Sequence, residues 1–413
     1  MTRFLMLALL SAGCLGGTVP AQFDQAEEPA LQRARRILRE APLIDGHNDL
    51  PWTIRTNPEA PGDLEAFDLR RKAPGDTDLV RLRQGQVGAQ FWSVWVPGHL
   101  KVGYGKTQLE QIELTLRMIE RYPEDLVLAL TAADIEKAFS QGRIASLLGM
   151  EGGYGIENSL GALRAYYRLG VRYMTLAHNV TLDWVDSAMD TPRHGGLTDF
   201  GKEVVGEMNR LGMLVDLSHV TPLVMQDALD VSQAPLIFSH SAARALTDHP
   251  RNVPDSILQQ LPSNGGVIMV TFIPPFVSQQ VADWQRPLQK RLAGIASSQE
   301  YDRIRQEYSA QNPAPQASLS QVADHIEHVR KVSGNDHVGI GSDFWGSPDM
   351  PVGLEDTSRF PYLFAELIRR GWSDSDLKKL AGGNFLRVLK KAEEVAQRLQ
   401  KSRPPSNATT DRE

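Results

Sequence analysis

The side chains in this sequence best equipped for chemistry are imidazoles and carboxylates: His47, Asp49, Glu151, His178, His219, His240 and Asp343. The 413 residues include ten His but a single Cys, Cys14, so any metal chemistry must use nitrogen and oxygen ligands rather than thiolate. In His47-Asn48-Asp49 the two end residues are separated by one position. On an extended backbone both therefore point the same way and can chelate one ion. His219 and His240, carried on neighbouring strands, can share a second ion, and Glu151 has the two oxygens needed to bridge the pair. Neutral imidazole with carboxylate suits zinc, with manganese, cobalt and iron as the other fits. Two ions about 3.5–4 Å apart lower the pKa of a shared water and polarise a carbonyl, so the expected chemistry is hydrolysis by a metal-bridging hydroxide. Taken singly, each of these histidines is more commonly a surface or hydrogen-bonded core residue than a ligand. Their shared placement in the fold carries the reading.

From residue 41 to about 395, compact apolar runs alternate with amphipathic stretches. The runs at 43–44, 89–94, 145–148, 173–176, 213–217, 236–238, 267–270 and 338–340 make eight expected strands. Helical periodicity covers Leu109 to Ile119, Ala133 to Phe139, Leu160 to Leu169, Asp199 to Leu211 and Leu319 to Val332. Such alternation implies parallel pairing through crossover helices, and eight units suggest an α/β fold, a closed (β/α)8 TIM-like barrel of the metal-dependent hydrolase type. An open doubly wound sheet would alternate in the same way. However, the first strand leads into Asp45-Gly46-His47-Asn48-Asp49 rather than a glycine-rich phosphate loop. Each candidate residue follows the carboxyl end of a strand, and a barrel gathers these ends at one mouth. Ser373 is the expected cap of a helix from Leu377 to about Leu399. Residues 277–318 form a polar, partly helical insertion between the seventh and eighth strands, read equally well as a lid over the mouth or as a solvated excursion. Asp45, Asp216 and Asn384 are read either as groups that orient ligands or as structural hydrogen bonders. His99, His194, His249, His325, His328 and His337 are placed in loops or on polar helix faces, without a functional role.

The strings Leu43-Ile44-Asp45-Gly46-His47-Asn48-Asp49-Leu50-Pro51-Trp52, Gln90-Phe91-Trp92-Ser93, Glu151-Gly152-Gly153, Phe238-Ser239-His240-Ser241, Arg251-Asn252-Val253-Pro254-Asp255 and Gly341-Ser342-Asp343-Phe344 together resemble the membrane dipeptidase (renal dipeptidase) family. The resemblance runs in order from about residue 35 to 395. It implies a zinc-dependent barrel with two Zn2+ per chain that cleaves dipeptides, tolerates a D-residue at the C-terminal position and, in some members, opens β-lactam amides. Carried onto this chain, it implies that His47 and Asp49 hold one zinc, that His219 and His240 hold the other, and that Glu151 bridges them. It further implies that His178 contacts the scissile carbonyl and that Arg251 pairs with the substrate's terminal carboxylate. Asp343 would shuttle the proton from the nucleophilic water to the leaving amine, and Trp52 would wall the pocket. The chain departs from animal members in lacking their Cys pairs and their lipid-anchor signal, so a bacterial version, soluble or lipid-tailed, is expected. It also departs after the seventh strand, at Thr271-Phe272-Ile273-Pro274-Pro275-Phe276 and the long insertion, which makes side-chain preference the least transferable property.

Composition bounds the rest. With 41% hydrophobic and 23% charged residues the chain is a folded globular protein. A net charge of −6 without a basic stripe gives no footprint for nucleic acid. Residues 1–21 have the layout of a secretory signal peptide, with Arg3, an apolar run too short to span a bilayer, and small residues up to Ala21. Export to a periplasmic or extracellular location is expected, by cleavage after Ala21 or by lipoprotein anchoring through an acylated Cys14. A chain cleaved after Ala21 has no disulfide. Residues 22–400 are read as one barrel domain and 401–413 as a disordered polar tail. Two other readings stand beside the dipeptidase: a lactonase, phosphotriesterase or deaminase built on a similar barrel, and a catalytically silent exported binding protein. Whether the chain forms a homodimer is left open.

Overall fold

The computed structural model describes residues 28–100, 102–295 and 298–410. The expected leader, Cys14 included, therefore lies outside the described residues. Among the described residues there are nine strands: β1 (Leu43–Asp45), β2 (Val87–Ser93), β3 (Leu126–Leu128), β4 (Ile144–Glu151), β5 (Val171–Thr175), β6 (Leu214–Asp216), β7 (Ile237–Ser241), β8 (Val267–Val270) and β9 (Val338–Ile340). All their pairings are parallel, and eight strands close a ring in the order β1-β2-β4-β5-β6-β7-β8-β9, with Asp45 paired to Ile340 at the seam. This is the expected (β/α)8 barrel. The strands are short and almost wholly apolar because helices cover their outer faces and side chains fill the interior.

The unexpected element is β3. It pairs with Ile144–Ser146 of β4, on the edge that β5 takes over from Leu148 onward. The apolar stretch Leu126–Leu130 carried its signal, but a strand that covers only half of a neighbour's edge falls outside the eightfold repeat. The helix expected after Ser373 begins there, with the Ser373 hydroxyl accepting from the Asp376 amide at 3.1 Å. It then widens into a π-turn over Lys379–Gly383 before the long helix Asn384–Ser402. Phe385 of that helix meets Phe91 at 5.3 Å between ring centres, so the helix closes the end of the barrel opposite the site. Asn384 belongs to this closure: its amide donates to the carbonyls of Asn335 and Val338. The insertion is a helical hairpin, Gln279–Leu292 and Ser298–Gln311. The polar C-terminal segment, expected to be free, runs back over the barrel helices. Ser406 accepts from Arg164 through its carbonyl and donates its amide to Glu207. Among the described residues no helix is long and apolar enough to cross a membrane.

Candidate active site

The mouth of the barrel is built by carrying strand pairing past the strand ends. The Asp49 amide donates to Phe344 O and the Asp343 amide to His47 O, both in the loops that continue β1 and β9. His47, Asp49 and Asp343 are thereby held side by side. Glu151 is the last residue of β4, His219 lies just beyond β6, and His240 lies within β7. His219 (φ 72°) and Asp343 (φ 65°) both adopt left-handed backbone, a strained conformation for non-glycine residues that is commonly found at functional sites.

The seven imidazole and carboxylate residues that head the sequence reading converge. The ligand atoms of His47, Asp49 and Glu151 lie within 4.8 Å of one another, as do those of Glu151, His219 and His240, and those of His47, His240 and Asp343. His47 Nε2 is 3.4 Å from Asp49 Oδ1 and 3.5 Å from Glu151 Oε2. Glu151 Oε1 is 2.9 Å from His219 Nε2, 3.4 Å from His240 Nε2 and 3.7 Å from His178 Nε2. Asp49, Trp52, Glu151, His178, His219, Arg251 and Asp343 line a cavity of about 460 Å³, within the range of small-molecule sites.

The proton positions follow from the partners. The Tyr173 hydroxyl donates to Gly46 O at 3.2 Å, so His47 Nδ1 donates to it at 2.8 Å. His219 Nδ1 donates to Asn179 Oδ1 at 3.0 Å. The Ser239 hydroxyl donates to Asp216 at 2.6 Å, leaving His240 Nδ1 to donate to Ser239 at 2.8 Å. Three imidazoles thus turn a bare Nε2 toward the centre. His47 Nε2 is buried without a hydrogen-bond partner, and the Nε2 atoms of His219 and His240 face each other at 2.9 Å. Lone pairs so close repel unless a cation lies between them, so this donor set fits divalent metal ions. His178 has the opposite tautomer: its Nδ1 accepts from the Trp95 indole at 3.3 Å, which leaves an Nε2–H donor facing the cavity.

The charges agree. Burial, with the His47 charge beside it, pushes His240 down to about 3. Burial, with the nearby Arg251 charge, holds His219 well below its ordinary value. Burial would raise Glu151, but the surrounding imidazoles, His47 and His178 foremost, hold it well below the carboxylate range. Burial opposes a charge on His47, yet Tyr173, Glu151 and Asp49 raise it well above the usual imidazole value, which marks surroundings that favour positive charge. Burial lifts Asp343 well above its ordinary range, with Asp49 and Glu151 adding to the effect and His47 and Arg251 opposing it. Arg251 is buried, brought down to about 10 by burial, and its Nε and Nη1 have no hydrogen-bond partner.

Several residues escaped the sequence reading. Tyr173 points into the barrel beneath the site, where Gly149 leaves it room: a Cβ at residue 149 would overlap the phenol ring. Asn179 and Ser239 sit next to His178 and His240 in sequence, and Trp95 lies in the same aromatic segment as Trp92; that adjacency was the available signal. Two of the histidines expected to be inert lie in other surroundings. His249 lines the cavity, with its Nδ1 accepting from the Arg251 amide at 3.2 Å. His325 is buried, with its Nδ1 accepting from the Ala243 amide at 3.1 Å. His249 lies in a segment without periodicity, whereas His325 stands three residues after Val322 and four before Val329, on the apolar face of its helix, where helical spacing was the available signal. Asp216 accepts four hydrogen bonds beneath His240, and Asp45 accepts three from Ser342 and Gln90, so both brace the site from below.

Comparison with known proteins agrees with this geometry. The chain is 41% identical over 384 residues to dipeptidase verJ of Clonostachys rogersoniana, covering 90% of this chain and 89% of that protein. Its fold matches the probable dipeptidase PvdM of Pseudomonas aeruginosa with a TM-score of 0.77 at 27% identity, over 89% of this chain and 99% of that one. It also matches the metallopeptidase dipeptidase AC with a TM-score of 0.70 at 25% identity, over 85% and 98% of the two chains. Residues 31–403 match the membrane dipeptidase family, peptidase family M19. The chain belongs to that family and is a metal-dependent dipeptidase.

Proposed function

We propose that this chain is a dizinc enzyme that hydrolyses free dipeptides and accepts a D-residue at the C-terminal position. The position of Glu151 carries the reading: one oxygen faces His47, and the other faces His219 and His240. A carboxylate shared between two ligand sets supports His47 and Asp49 as holders of one ion, His219 and His240 as holders of the other, and Glu151 as the bridge. When bound, such a pair lowers the pKa of a water and polarises a carbonyl.

The chain's own residues divide the remaining tasks. The guanidinium of Arg251, whose Nη2 donates to His240 O at 3.4 Å while Nε and Nη1 have no partner, suits the substrate's C-terminal carboxylate, which can satisfy its fork in a bidentate manner. That fork reads the carboxylate and not the configuration at Cα, which supports acceptance of a D-residue. His178 presents Nε2–H to the scissile carbonyl oxygen as negative charge develops there. Asp343, acting as the carboxylate, takes the proton from the attacking water, and the burial that favours its protonated form lets it hold that proton until it passes to the leaving amine. Trp52 packs edge-on against Trp95 at 4.7 Å and walls the cavity on the His178 side.

Metal content and kinetics of the purified chain test this. About two equivalents of zinc and hydrolysis of L-L and L-D dipeptides but not a tripeptide are expected, with turnover lost in Glu151→Ala. Full activity and metal content in that variant would overturn the assignment, and preferential turnover of a lactone or phosphotriester would replace it. We further propose, on the leader pattern of residues 1–21, that the enzyme acts outside the cytoplasm. Mass analysis of its N-terminus separates cleavage after Ala21 from acylation at Cys14.

A further inference from the structure

The helix Gln279–Leu292 places Gln285 and Gln289, one turn apart, on the cavity wall. Gln285 is half-buried and Gln289 is exposed, and neither carboxamide has a hydrogen-bond partner among the described residues. Wall residues that precede them, Ile273, Pro275 and Phe276, are apolar. The helix is fixed relative to Arg251 by bonds on both sides of one residue: the Asp248 amide donates to Gln279 Oε1 at 2.7 Å, and Arg286 donates to Asp248 O at 3.4 Å. Asn252 donates to Phe276 O at 2.8 Å, and the Phe276 ring lies 5.2 Å from the Arg251 guanidinium. The second helix of the hairpin braces the first, with the Trp284 indole donating to Asn312 O and the Tyr308 hydroxyl to Trp284 O. The two carboxamides therefore stand on the Arg251 side of the cavity, on a wall whose lead-in is apolar.

We infer that Gln285 and Gln289 select the side chain of the substrate's C-terminal residue, favouring dipeptides whose second residue carries a carboxamide or hydroxyl over those with a branched apolar one. This rests on the dipeptidase reading above, in which Arg251 holds the terminal carboxylate and so directs the neighbouring side chain to this wall. A carboxamide both donates and accepts, so it matches neutral polar groups without requiring charge. A site built to hydrogen-bond a substrate group penalises the analogue that leaves its own polar atoms unpaired.

The test compares kcat/KM for Ala-Gln and Ala-Leu in the metal-loaded full chain, in wild type and in the Gln285→Leu/Gln289→Leu double variant, with thermal melting as the check on folding. The Ala-Gln to Ala-Leu ratio is expected to fall about threefold to tenfold in the double variant, the size of one or two lost hydrogen bonds. Gln285→Glu, as a second variant, is expected to shift preference toward Ala-Lys. Turnover with an unchanged ratio in both variants would overturn this inference alone. Absence of turnover with every dipeptide would overturn the proposed function with it.

Discussion

Arg251 is a residue of this site held at a cost to folding, and Tyr173 one that braces a neighbour. A buried guanidinium with two unpartnered nitrogens is unfavourable by itself, and under the proposed function the substrate would supply the missing carboxylate. Arg251→Met is therefore expected to lower kcat/KM for free dipeptides about a hundredfold, the size of two lost charge-assisted hydrogen bonds, and to erase discrimination against the C-terminal amide. In the absence of substrate the same variant is expected to be more stable by about 1 kcal/mol or more, read as a shifted denaturant midpoint. A clear loss of stability would mean that the guanidinium has a structural partner. Tyr173 fixes the ring of His47 by accepting from Nδ1. Tyr173→Phe keeps the ring in the space left by Gly149 and removes the acceptor, and metal affinity is expected to fall about tenfold to a hundredfold in a chelator competition.

At the scale of elements, the loop carrying Arg251 is set by the helix Leu319–Ser333. His325 on that helix accepts from the Ala243 amide, and its Nε2 lies 3.4 Å from the Thr247 hydroxyl, so the helix clamps the start of the loop that ends in His249 and Arg251. Burial, aided by His328 and opposed by a backbone bond to Val277, brings His325 down to about 4. The unfolded chain takes up this proton near 6.5, whereas the folded chain resists it until about 4. The contribution is thus fully present above pH 6.5 and is lost as pH falls toward 4, on the order of 3 kcal/mol in all. His325→Asn keeps an acceptor for Ala243 and does not titrate. The stability difference between wild type and this variant is expected to swing against wild type between pH 7 and pH 4.5; a pH-independent difference would refute the burial argument. Helices and strands of the barrel were readable because their periodicity is strong, as with Asp199–Leu211, found where expected. The extra strand β3 and the π-turn at Lys379–Gly383 were not, because each departs from the repeat that makes the others recognisable.

For the whole molecule, the proposed ligands come from the ends of β1, β4, β6 and β7, so bound metal ties together strands spread around the ring. Ions that bind the folded chain alone stabilise it by RT ln(1 + [L]/Kd), about 4 kcal/mol at a thousandfold excess over Kd. Exhaustive chelation is expected to lower the melting temperature reversibly, with zinc restoring it; an unchanged melting curve would argue against ligation across the barrel. Much of this was legible beforehand: the residue types, the His-x-Asp spacing and the position of each candidate after an apolar run are properties of the linear chain. They determined the barrel, the metal-fitting donor set and the family resemblance, because strand ends of a parallel barrel share one face whatever the intervening sequence. Tertiary structure alone decided the tautomers of the four imidazoles, the burial of His249, the two unpartnered nitrogens of Arg251, and the arrival of Gln285 at the cavity. Each of these depends on which groups from distant segments touch, and side-chain chemistry within one segment carries no record of its neighbours in space.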